Sequence, residues 1–435
     1  MNSLQDTSGT SAAQMFTSTD GVYNHRARIL GGGSAINAGF YTHASSEYVR
    51  NVGWDPVLVN ESYEWVERKV VFRPRLMQWQ TAVRDGLLAA GVLPYNGFTY
   101  EHLNGTKIGG SIFDGNGIRH SSADLLEYAD PANITVYLYA TVHQILFTTS
   151  SPGQRSKAEG IVFKDRNGKS HWAYLNSGSG KNEIIVSAGA MGSPQLLMLS
   201  GIGPGQKLRE LGINVVLEQA SVGQGMSELE TSLVQVVGIS SNIGTYIEAI
   251  SGLFQLSDQQ TGMGFIGEKV AKPFSSGYME VESRDPNVNP RVTFNYFKDR
   301  RDLQSCVGGI KIIKKVVESA PMSQFRQPNS SYDSLMRLML SLPINMRKKH
   351  PNATHSLDQF CRDTVLTIWH FHGGCHVDRV VDRHCRVLGV DSLRVVDGST
   401  FHHSPGTNPQ ATLMMLGRYM GQKILHQRNS HKGGN

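Results

Sequence analysis

The spacing of apolar residues predicts amphipathic helices at several places along the chain. Leu76 to Ala90 carries apolar side chains at helical intervals, and Gly91 follows where a glycine commonly ends a helix. The same spacing predicts helices over 303–319 and 331–341. These segments indicate a chain with a substantial helical content.

Short β-branched and aromatic runs predict strands between these helices. Glu183 to Val186 is a short apolar run, and the glycine turn after it leads to Ser193-Pro194, a favoured cap and first residue for a helix over 194–200. Strand, glycine turn and capped helix form the repeating unit of a doubly wound α/β sheet. The other predicted strands are Ile134–Phe147, Leu233–Val237, Arg291–Phe294 and a run from Leu393 that ends at Asp397.

The two ends of the chain show less hydrophobic periodicity than the rest. The first 25 residues are polar without a period, and Met1 to Gly21 lacks an apolar h-region, so no signal peptide is predicted. Asn408-Pro409 predicts the start of a last helix that runs to about Leu425, before a fraying polar tail from His426 to Asn435. No apolar run approaches the ~18 residues of a membrane span, so no transmembrane segment is expected.

Composition narrows the class of protein. The 435 residues have room for two or three domains of about 150 residues. The 42 Lys+Arg and 36 Asp+Glu give a mild net charge of +6, without the basic, aromatic-interleaved run that would indicate a nucleic-acid partner. Changes in pattern predict three parts: an α/β part over 1–220, an α+β part with an antiparallel sheet over 221–364, and a return to the first part over 365–435.

A glycine-rich loop is the first candidate for a binding site. Gly31-Gly32-Gly33-Ser34 lets backbone N–H groups approach a phosphate closely, because no Cβ intervenes. A plain turn is the alternative explanation. No G-x-G-x-x-G motif follows a predicted strand anywhere in the chain, so the dinucleotide-binding fingerprint is absent from the sequence.

A histidine cluster is the second candidate. His370 and His372 share one face at strand spacing and, with Cys375 or His376, are of the right types to bind a metal. Alternatively, one histidine is a general base beside Trp369, or the histidines are structural. The residues alone do not decide between a metal site, a catalytic base and a structural role.

The third candidate is Asp397-Gly398-Ser399 with Asn408-Pro409. Asn408 is placed to cap the last helix, and a helix N-terminus carries roughly half a positive charge that stabilises negative charge on a nearby ligand. A capped helix without a ligand is the simpler alternative.

Four of these motifs occur in one order, and together they resemble the glucose–methanol–choline (GMC) flavoprotein oxidoreductases. ARILGGGSAIN over 27–37 and GSPQLLMLSGIG over 192–203 are similar to the two family signatures. Trp369-His370 and Asp397 to Pro409 resemble the C-terminal active-site block. The residues of these motifs are most similar to those of the plant branch that contains the HOTHEAD and mandelonitrile lyase-like proteins. The resemblance extends over nearly the whole chain.

The resemblance implies FAD as the cofactor and a small-molecule alcohol as the substrate of a monomeric enzyme. It implies that His370 is the catalytic base, that Asn408 contacts the reacting oxygen, and that hydride passes to flavin N5. A metal is then not expected, since the family explains Gly373-Gly374-Cys375 as a backbone turn. The implied cofactor-binding residues are Ile29, Gly31, Gly32, Gly33, Ser34, Asn37, Ala38, Gly39, Phe40, Val142, Trp369, His370, Asp397, Gly398, Asn408 and Pro409.

Two alternatives stand beside the oxidoreductase. Hydroxynitrile lyases of the family carry histidine at the position of Asn408 and tyrosine at that of Ile368, so the sequence favours alcohol oxidation over cyanohydrin cleavage. The family's N-terminal Gly-x-Gly-x-x-Gly unit is not found before Arg28, which predicts an incomplete doubly wound FAD domain and allows an inactive fragment. The family also implies a secreted parent, consistent with five N-x-[ST] sequons, and a disulfide between Cys306 and Cys361.

Overall fold

The computed structural model describes residues 11–148, 154–177, 181–228, 235–240, 244–256 and 259–430. Its helices are α1 (Ser46–Asn51), α2 (Pro56–Val70), α3 (Gln78–Ala89), α4 (Gly189–Leu199), α5 (Gly205–Glu210), α6 (Arg300–Glu318), α7 (Tyr332–Ser341), α8 (Leu357–Asp363) and α9 (Gln410–Ser430). Within these ranges, none of the helices combines the length and apolar character that crossing a bilayer requires.

The strands alternate with these helices along the chain. The earlier strands are β1 (Ala13–Thr17), β2 (Tyr23–Ala27), β3 (Phe40–Tyr41), β4 (Tyr95–Phe98), β5 (Gly105–Ile108), β6 (Gly110–Ser111), β7 (Thr141–Thr148), β8 (Ser156–Lys164), β9 (Ser170–Tyr174), β10 (Ile184–Val186), β11 (Ile202–Gly203) and β12 (Leu217–Glu218). The later strands are β13 (Gln224–Met226), β14 (Val236–Ser240), β15 (Thr245–Leu256), β16 (Gln259–Val270), β17 (Gly277–Glu280), β18 (Arg291–Thr293), β19 (Val390–Asp391) and β20 (Leu393–Val395).

The α/β part joins two segments that are distant in sequence. Strands β10 and β20 pair in parallel, with Val186 opposite Val395. Helix α4 follows β10, and its buried side chains share a core with both strands. The predicted strand–turn–helix unit is therefore confirmed, and β20 returns to it from the end of the chain as expected.

Helix α4 begins earlier than predicted. It starts at Gly189 and contains Pro194, so Ser193 lies inside the helix and is not its cap. The backbone N–H of Gly189 donates to Asp397 Oδ2 at 2.9 Å. Because a carboxylate from a distant segment satisfies this first-turn amide, the helix does not need the local Ser-Pro start.

A five-stranded sheet forms the second part, in the order β16-β15-β14-β5-β4. Its long antiparallel hairpin, β15–β16, packs against α6, and α3 packs against α6. Leu87, Val316 and Ile247 are fully buried or nearly so in the shared core. The α+β expectation with an antiparallel sheet is confirmed. Strands β4 and β5 come from before residue 220, so the division at residues 220 and 364 stays a prediction.

Helix α9 packs along α2 and closes the first part. Met415 and Tyr419 of α9 are buried with Val66 and Val70 of α2. The last helix was predicted to end near Leu425, but α9 extends to Ser430, so the described part of the predicted tail is helical. The rest of that tail lies outside the described residues.

Two further expectations differ from the structure. The N-terminal region was predicted to lack periodic structure, yet β1 and β2 pair as an antiparallel hairpin that buries Phe16. The strand predicted over 134–147 begins only at Thr141, where β7 meets its partner β8. Residues 134–140 pair with no strand in the described ranges, and Tyr137 remains 73% exposed.

The remaining element predictions agree closely with the structure. Helices α3, α6 and α7 and strand β18 match their predicted segments to within a few residues. The predicted strand at Leu233–Val237 is observed as β14, and residues 233 and 234 lie outside the described residues. The disulfide between Cys306 and Cys361 is present.

The Asp397 carboxylate gives a test of the fold. We expect Asp397→Ala to lower the free energy of unfolding by about 2 kcal/mol or more, because buried amide and hydroxyl donors lose their acceptor. Urea denaturation measures the change, with Asp391→Ala, an exposed aspartate on β19, as the matched control. Equal stability of the two variants would contradict the assigned role of Asp397.

Candidate active site

Backbone hydrogen bonds bring the histidine segment to the end of β20. The N–H of Gly373 donates to the carbonyl of Gly398 at 3.1 Å, and that of Cys375 to Ser399 at 2.8 Å. On its other side, His372 exchanges two backbone hydrogen bonds with Ser227. The segment from 370 to 376 is therefore held between two parts of the chain.

His370 occupies a desolvated position in this segment. Its backbone N–H donates to Glu228 Oε1 at 2.7 Å. Burial, together with the charges of Lys269 and His372, lowers the pKa of His370 well below its usual value. Nδ1 is shielded from solvent and has no hydrogen-bond partner among the described residues, although the ring as a whole is only half-buried. Nε2 is therefore the ring nitrogen that a ligand reaches.

Trp369 adopts a strained backbone conformation directly before His370. Its φ of 63° lies in the left-handed region, which is uncommon for a bulky residue. Its indole packs edge-on against the ring of His25, with the centroids 5.5 Å apart, and its buried Nε1 lacks a partner in the described part of the chain. Strain and unpaired buried donors of this kind concentrate at functional sites.

Asn408 reaches the same place from the start of α9. Its side chain is nearly buried, and Oδ1 accepts a hydrogen bond from Lys269 Nζ at 3.0 Å. The predicted capping role is wrong: the N–H of Leu413 bonds to the carbonyl of Pro409, so Asn408 precedes the cap position. Lys269 therefore contacts Asn408 directly, and its charge adds to the burial that lowers the pKa of His370.

The glycine loop forms a short turn that leaves the backbone of Gly32 and Gly33 exposed. Gly31 has a φ of 92°, and residues Gly32–Ala35 form a 3₁₀ turn closed by a hydrogen bond from Ser34 Oγ to the Gly31 carbonyl. Gly32 and Gly33 are exposed, and no atom lies within 4 Å of where their Cβ atoms would be. The structure therefore offers the open backbone that phosphate binding requires.

Polar contacts tie this loop to the first turn of α9. Asn37 Nδ2 donates to Gln410 Oε1 at 2.9 Å, and the amide of Gln410 donates to the carbonyl of Phe40. Arg119 donates to both the side chain and the backbone carbonyl of Asn37. Residues 37–40 thus lie beside Pro409 and Gln410, as one common site requires.

The other predicted cofactor-binding residues make fewer contacts with this site. Val142 lies on β7 opposite Phe163, and Ile29 is 47% exposed next to the glycine loop. Ala38 and Gly39 lie within the segment that contacts α9. The Asp397 carboxylate is occupied by protein donors, so any ligand contact there falls to the backbone around Gly398. Their roles in binding a cofactor remain predictions.

The histidine cluster does not assemble as a metal centre in the described ranges. No group of three or more His, Cys, Asp or Glu side chains there has a metal-binding arrangement. His372 is buried, with Nδ1 3.3 Å from the carbonyl of His370, and burial lowers its pKa to about 4. Burial also raises the pKa of the Cys375 thiol, which disfavours the thiolate that binds metals.

Three charged residues near the site were not identified from the sequence. Lys269 and Glu248 are buried on the β15–β16 hairpin, and Glu228 holds the backbone of His370. No local motif marks them. The only available signal was the presence of charges in apolar, β-branched segments, where a sheet buries one face.

Comparison with known proteins places these features in a family. Residues 8–228 and 273–417 match the N-terminal and C-terminal domains of the family described as GMC oxidoreductase. The chain is 47% identical to Protein HOTHEAD of Arabidopsis thaliana, with 99% of this chain and 81% of that protein covered. It is also 47% identical to an (R)-mandelonitrile lyase-like protein of Arabidopsis thaliana (96% and 80% covered) and 39% identical to the sinalpyl alcohol oxidase Nec3 of Nesocodon mauritianus (100% and 82%).

Solved structures share the same fold at low identity. A formate oxidase of Aspergillus oryzae superposes with a TM-score of 0.79 at 16% identity, covering 98% of this chain and 90% of that one. A fungal aryl-alcohol oxidase gives a TM-score of 0.72 at 14% identity, with 95% and 89% covered. The domain matches and the near-complete coverage lead to one assignment. The chain belongs to the GMC oxidoreductase family.

Proposed function

We propose that this GMC oxidoreductase, acting as a monomer, oxidises the CH–OH group of a small alcohol with FAD as the electron acceptor. The observation that carries the proposal is that Lys269 acts on both implied catalytic residues. Lys269 hydrogen-bonds Asn408, and its charge adds to the burial that lowers the pKa of His370. In this proposal the neutral base and the neutral amide face the same hydroxyl group, as removal of its proton requires.

The residues present fit FAD at both ends of the proposed site. The exposed N–H of Gly33 suits a pyrophosphate, whereas the N–H of Gly32 donates to the carbonyl of Ile29. Residues Asn37–Phe40 connect that loop to the first turn of α9. Trp369 Nε1, which is buried without a partner among the described residues, indicates that the other end is incomplete without a ligand. When bound, FAD supplies the two-electron acceptor for the oxidation.

His370 acts as the base in this proposal. Burial and the nearby charge of Lys269 keep its imidazole neutral at ordinary pH, so Nε2 has a lone pair available for the hydroxyl proton of the alcohol. The hydrogen bond from its backbone N–H to Glu228 and the strained turn at Trp369 fix the position of the residue. A positioned base of this kind typically contributes about 10²–10⁴-fold to the rate.

Asn408 stabilises the oxygen that loses the proton. Its Oδ1 already accepts from Lys269, so its Nδ2 amide is the end that donates to an alkoxide-like oxygen. A donor oriented in advance stabilises developing negative charge at little reorganisation cost. The two residues therefore have separate roles, since His370 takes the proton and Asn408 holds the oxygen.

Hydroxynitrile cleavage is the second candidate, favoured by the lyase-like relatives. That reaction releases cyanide, and a second histidine would provide the positive potential for it. The neutral Asn408 carboxamide and the buried aliphatic Ile368 support alcohol oxidation instead. A protein that has lost FAD binding and activity is the third candidate. A measurement of FAD binding separates this candidate from the other two.

We propose that the protein is secreted. The disulfide between Cys306 and Cys361 suits an oxidising environment. The asparagines of all five sequons are exposed, which glycosylation requires: Asn60, Asn104, Asn133, Asn329 and Asn352.

Flavin binding gives the first test of this function. Purified protein reconstituted with FAD is expected to show flavin absorbance, and Gly33→Val is expected to weaken FAD binding at least about tenfold because the new side chain occupies the phosphate approach. The fold should tolerate Gly33→Val, since no atom lies within 4 Å of that Cβ position. Gly115→Val, at an equally open exposed glycine, is the control. Absence of flavin in the unmodified protein would refute an FAD enzyme.

Removal of the base gives the second test. His370→Ala is expected to retain bound flavin and to lower kcat for a primary alcohol by about 10²-fold or more. His426→Ala, at an exposed histidine of α9, is the control and should retain full activity. Unchanged turnover in His370→Ala would refute the base assignment, and cyanide release from mandelonitrile by the unmodified protein would favour the lyase.

The pH dependence of the reaction follows from the surroundings of His370. The base must be neutral to act, and burial, Lys269 on β16 and His372 all lower its pKa below 6.5, while the Glu228 carboxylate accepts from its backbone N–H. Protonation therefore inactivates the enzyme only below pH 6.5, and the acidic limb of kcat/KM should lie under that value. A limb at or above pH 6.5, measured with a saturating electron acceptor, would contradict a desolvated base.

A further inference from the structure

A buried ion pair lies on the face of the five-stranded sheet that meets the start of α9. Lys269 Nζ is 3.0 Å from Glu248 Oε1, and both side chains are 0% exposed. The register of β15 and β16 places Tyr246 opposite Lys269 and Glu248 opposite Gly267, so the three side chains share one face. The hydroxyl of Tyr246 lies 3.2 Å from Thr407 Oγ1, which joins this face to the segment that carries Asn408.

Stability alone does not account for this ion pair. Removing two charges from water costs more than their attraction usually returns, and apolar residues of similar volume often replace such pairs without loss. Burial disfavours the charged form of Lys269, and Glu248 opposes that effect. A buried pair beside a reaction site therefore calls for a functional explanation.

The partners of the Lys269 ammonium group define what it does. An ammonium group has three N–H donors and no acceptor. Nζ donates to Glu248 Oε1 and to Asn408 Oδ1, each at 3.0 Å, and lies 3.8 Å from the centroid of the Tyr246 ring. Protein groups thus take all three directions, so Lys269 is not placed to bind a substrate anion.

We propose that Lys269, anchored by Glu248, is a positioning residue that fixes the orientation of the Asn408 carboxamide. Because an ammonium group only donates, Oδ1 of Asn408 must face it and Nδ2 must face the opposite way. Nδ2 makes no hydrogen bond to the described residues. The amide donor is thereby held ready for the oxygen of the alcohol. This inference rests on the proposed function, in which Asn408 is the donor.

The alternative orientation of the carboxamide would be unproductive. With Nδ2 toward Lys269, two donors would oppose each other, and Oδ1 would face the oxygen that gains negative charge. Without Lys269, the two orientations differ little in energy. The lysine therefore acts on the reaction through Asn408, and its effect should disappear when Asn408 is absent.

A double-mutant cycle tests this dependence. Lys269→Met is introduced together with Glu248→Gln, which prevents an unpaired buried carboxylate when the ammonium group is removed. Relative to the unmodified protein, this pair of substitutions should lower kcat/KM for a primary alcohol about tenfold or more, with most of the loss in kcat. With Asn408→Ala present in both proteins, the same pair should change kcat/KM by less than about twofold. Equal losses in the two backgrounds would overturn the proposal.

A second measurement does not depend on turnover. In protein labelled with ¹⁵N-asparagine, the side-chain amide pair of Asn408, identified by its loss in Asn408→Ala, should be sharp in the unmodified protein. It should broaden or double when Lys269→Met and Glu248→Gln are introduced together. An unchanged pair would overturn the proposal even if no alcohol is oxidised, whereas full activity of Asn408→Ala would instead refute the proposed function.

Lys272→Met is the matched control for both measurements. Lys272 lies three residues from Lys269, and its side chain is 53% exposed, with Nζ 3.8 Å from Glu47 Oε2 in an exposed ion pair. Its removal should change neither kcat/KM nor the Asn408 amide signals. Thermal unfolding of every variant verifies that each one is folded. A loss in Lys272→Met equal to that in Lys269→Met would show that a general charge effect operates, which contradicts the proposal.

Discussion

The carboxylate of Asp397 accepts hydrogen bonds from the start of α4, distant in sequence, and from the turn that directly follows β20. Oδ2 receives the first-turn amide of Gly189 and the hydroxyl of Ser193, while Oδ1 receives the amide and hydroxyl of Ser399. The first pair fixes the start of α4, and the second fixes the turn after β20. Burial alone raises the pKa of Asp397, and the four donors oppose that shift. Because the turn at residues 398 and 399 holds the backbone of residues 373 and 375, the position of His370 depends on this carboxylate.

The proposed reaction site needs a second support from the opposite side. The sheet face that carries Tyr246, Glu248 and Lys269 meets the start of α9 and holds Asn408. One support is thus a carboxylate at a helix N-terminus, and the other is an ion pair on a sheet. Trp369, directly before His370, has a backbone φ of 63° in the left-handed region. Strain of this kind persists only where surrounding contacts fix the chain, and here hydrogen bonds of the backbone from His370 to Cys375 fix the segment that follows.

Local patterns predicted the elements, and distant contacts decided their ends. The run at 184–186 and the spacing over 78–89 were recognisable because hydrophobic period and glycine position agree. The start of α4 was not recognisable, because Asp397, its capping group, lies about two hundred residues away in sequence. The same reason explains Asn408, whose local sequence is typical of a cap but whose amide oxygen faces Lys269. His370 and Asn408 were identified by family resemblance, whereas Lys269 and Glu248 carry no motif, and only the register of β15 and β16 brings them into the site.

The charge distribution around the proposed site argues for proton removal over proton donation. His370 is held neutral by burial and by Lys269, so it has a lone pair but no readily donated second proton. The Lys269 ammonium is neutralised by Glu248 and saturated by protein partners, so its proton is not available to a leaving group. Asn408 donates a hydrogen bond without transferring a proton. A site of this composition can accept a hydroxyl proton and stabilise the resulting oxygen, which alcohol oxidation requires. Cyanohydrin cleavage would begin with the same proton removal, so the neutral carboxamide of Asn408, which supplies no positive charge to a departing cyanide, is the feature that favours oxidation for this chain.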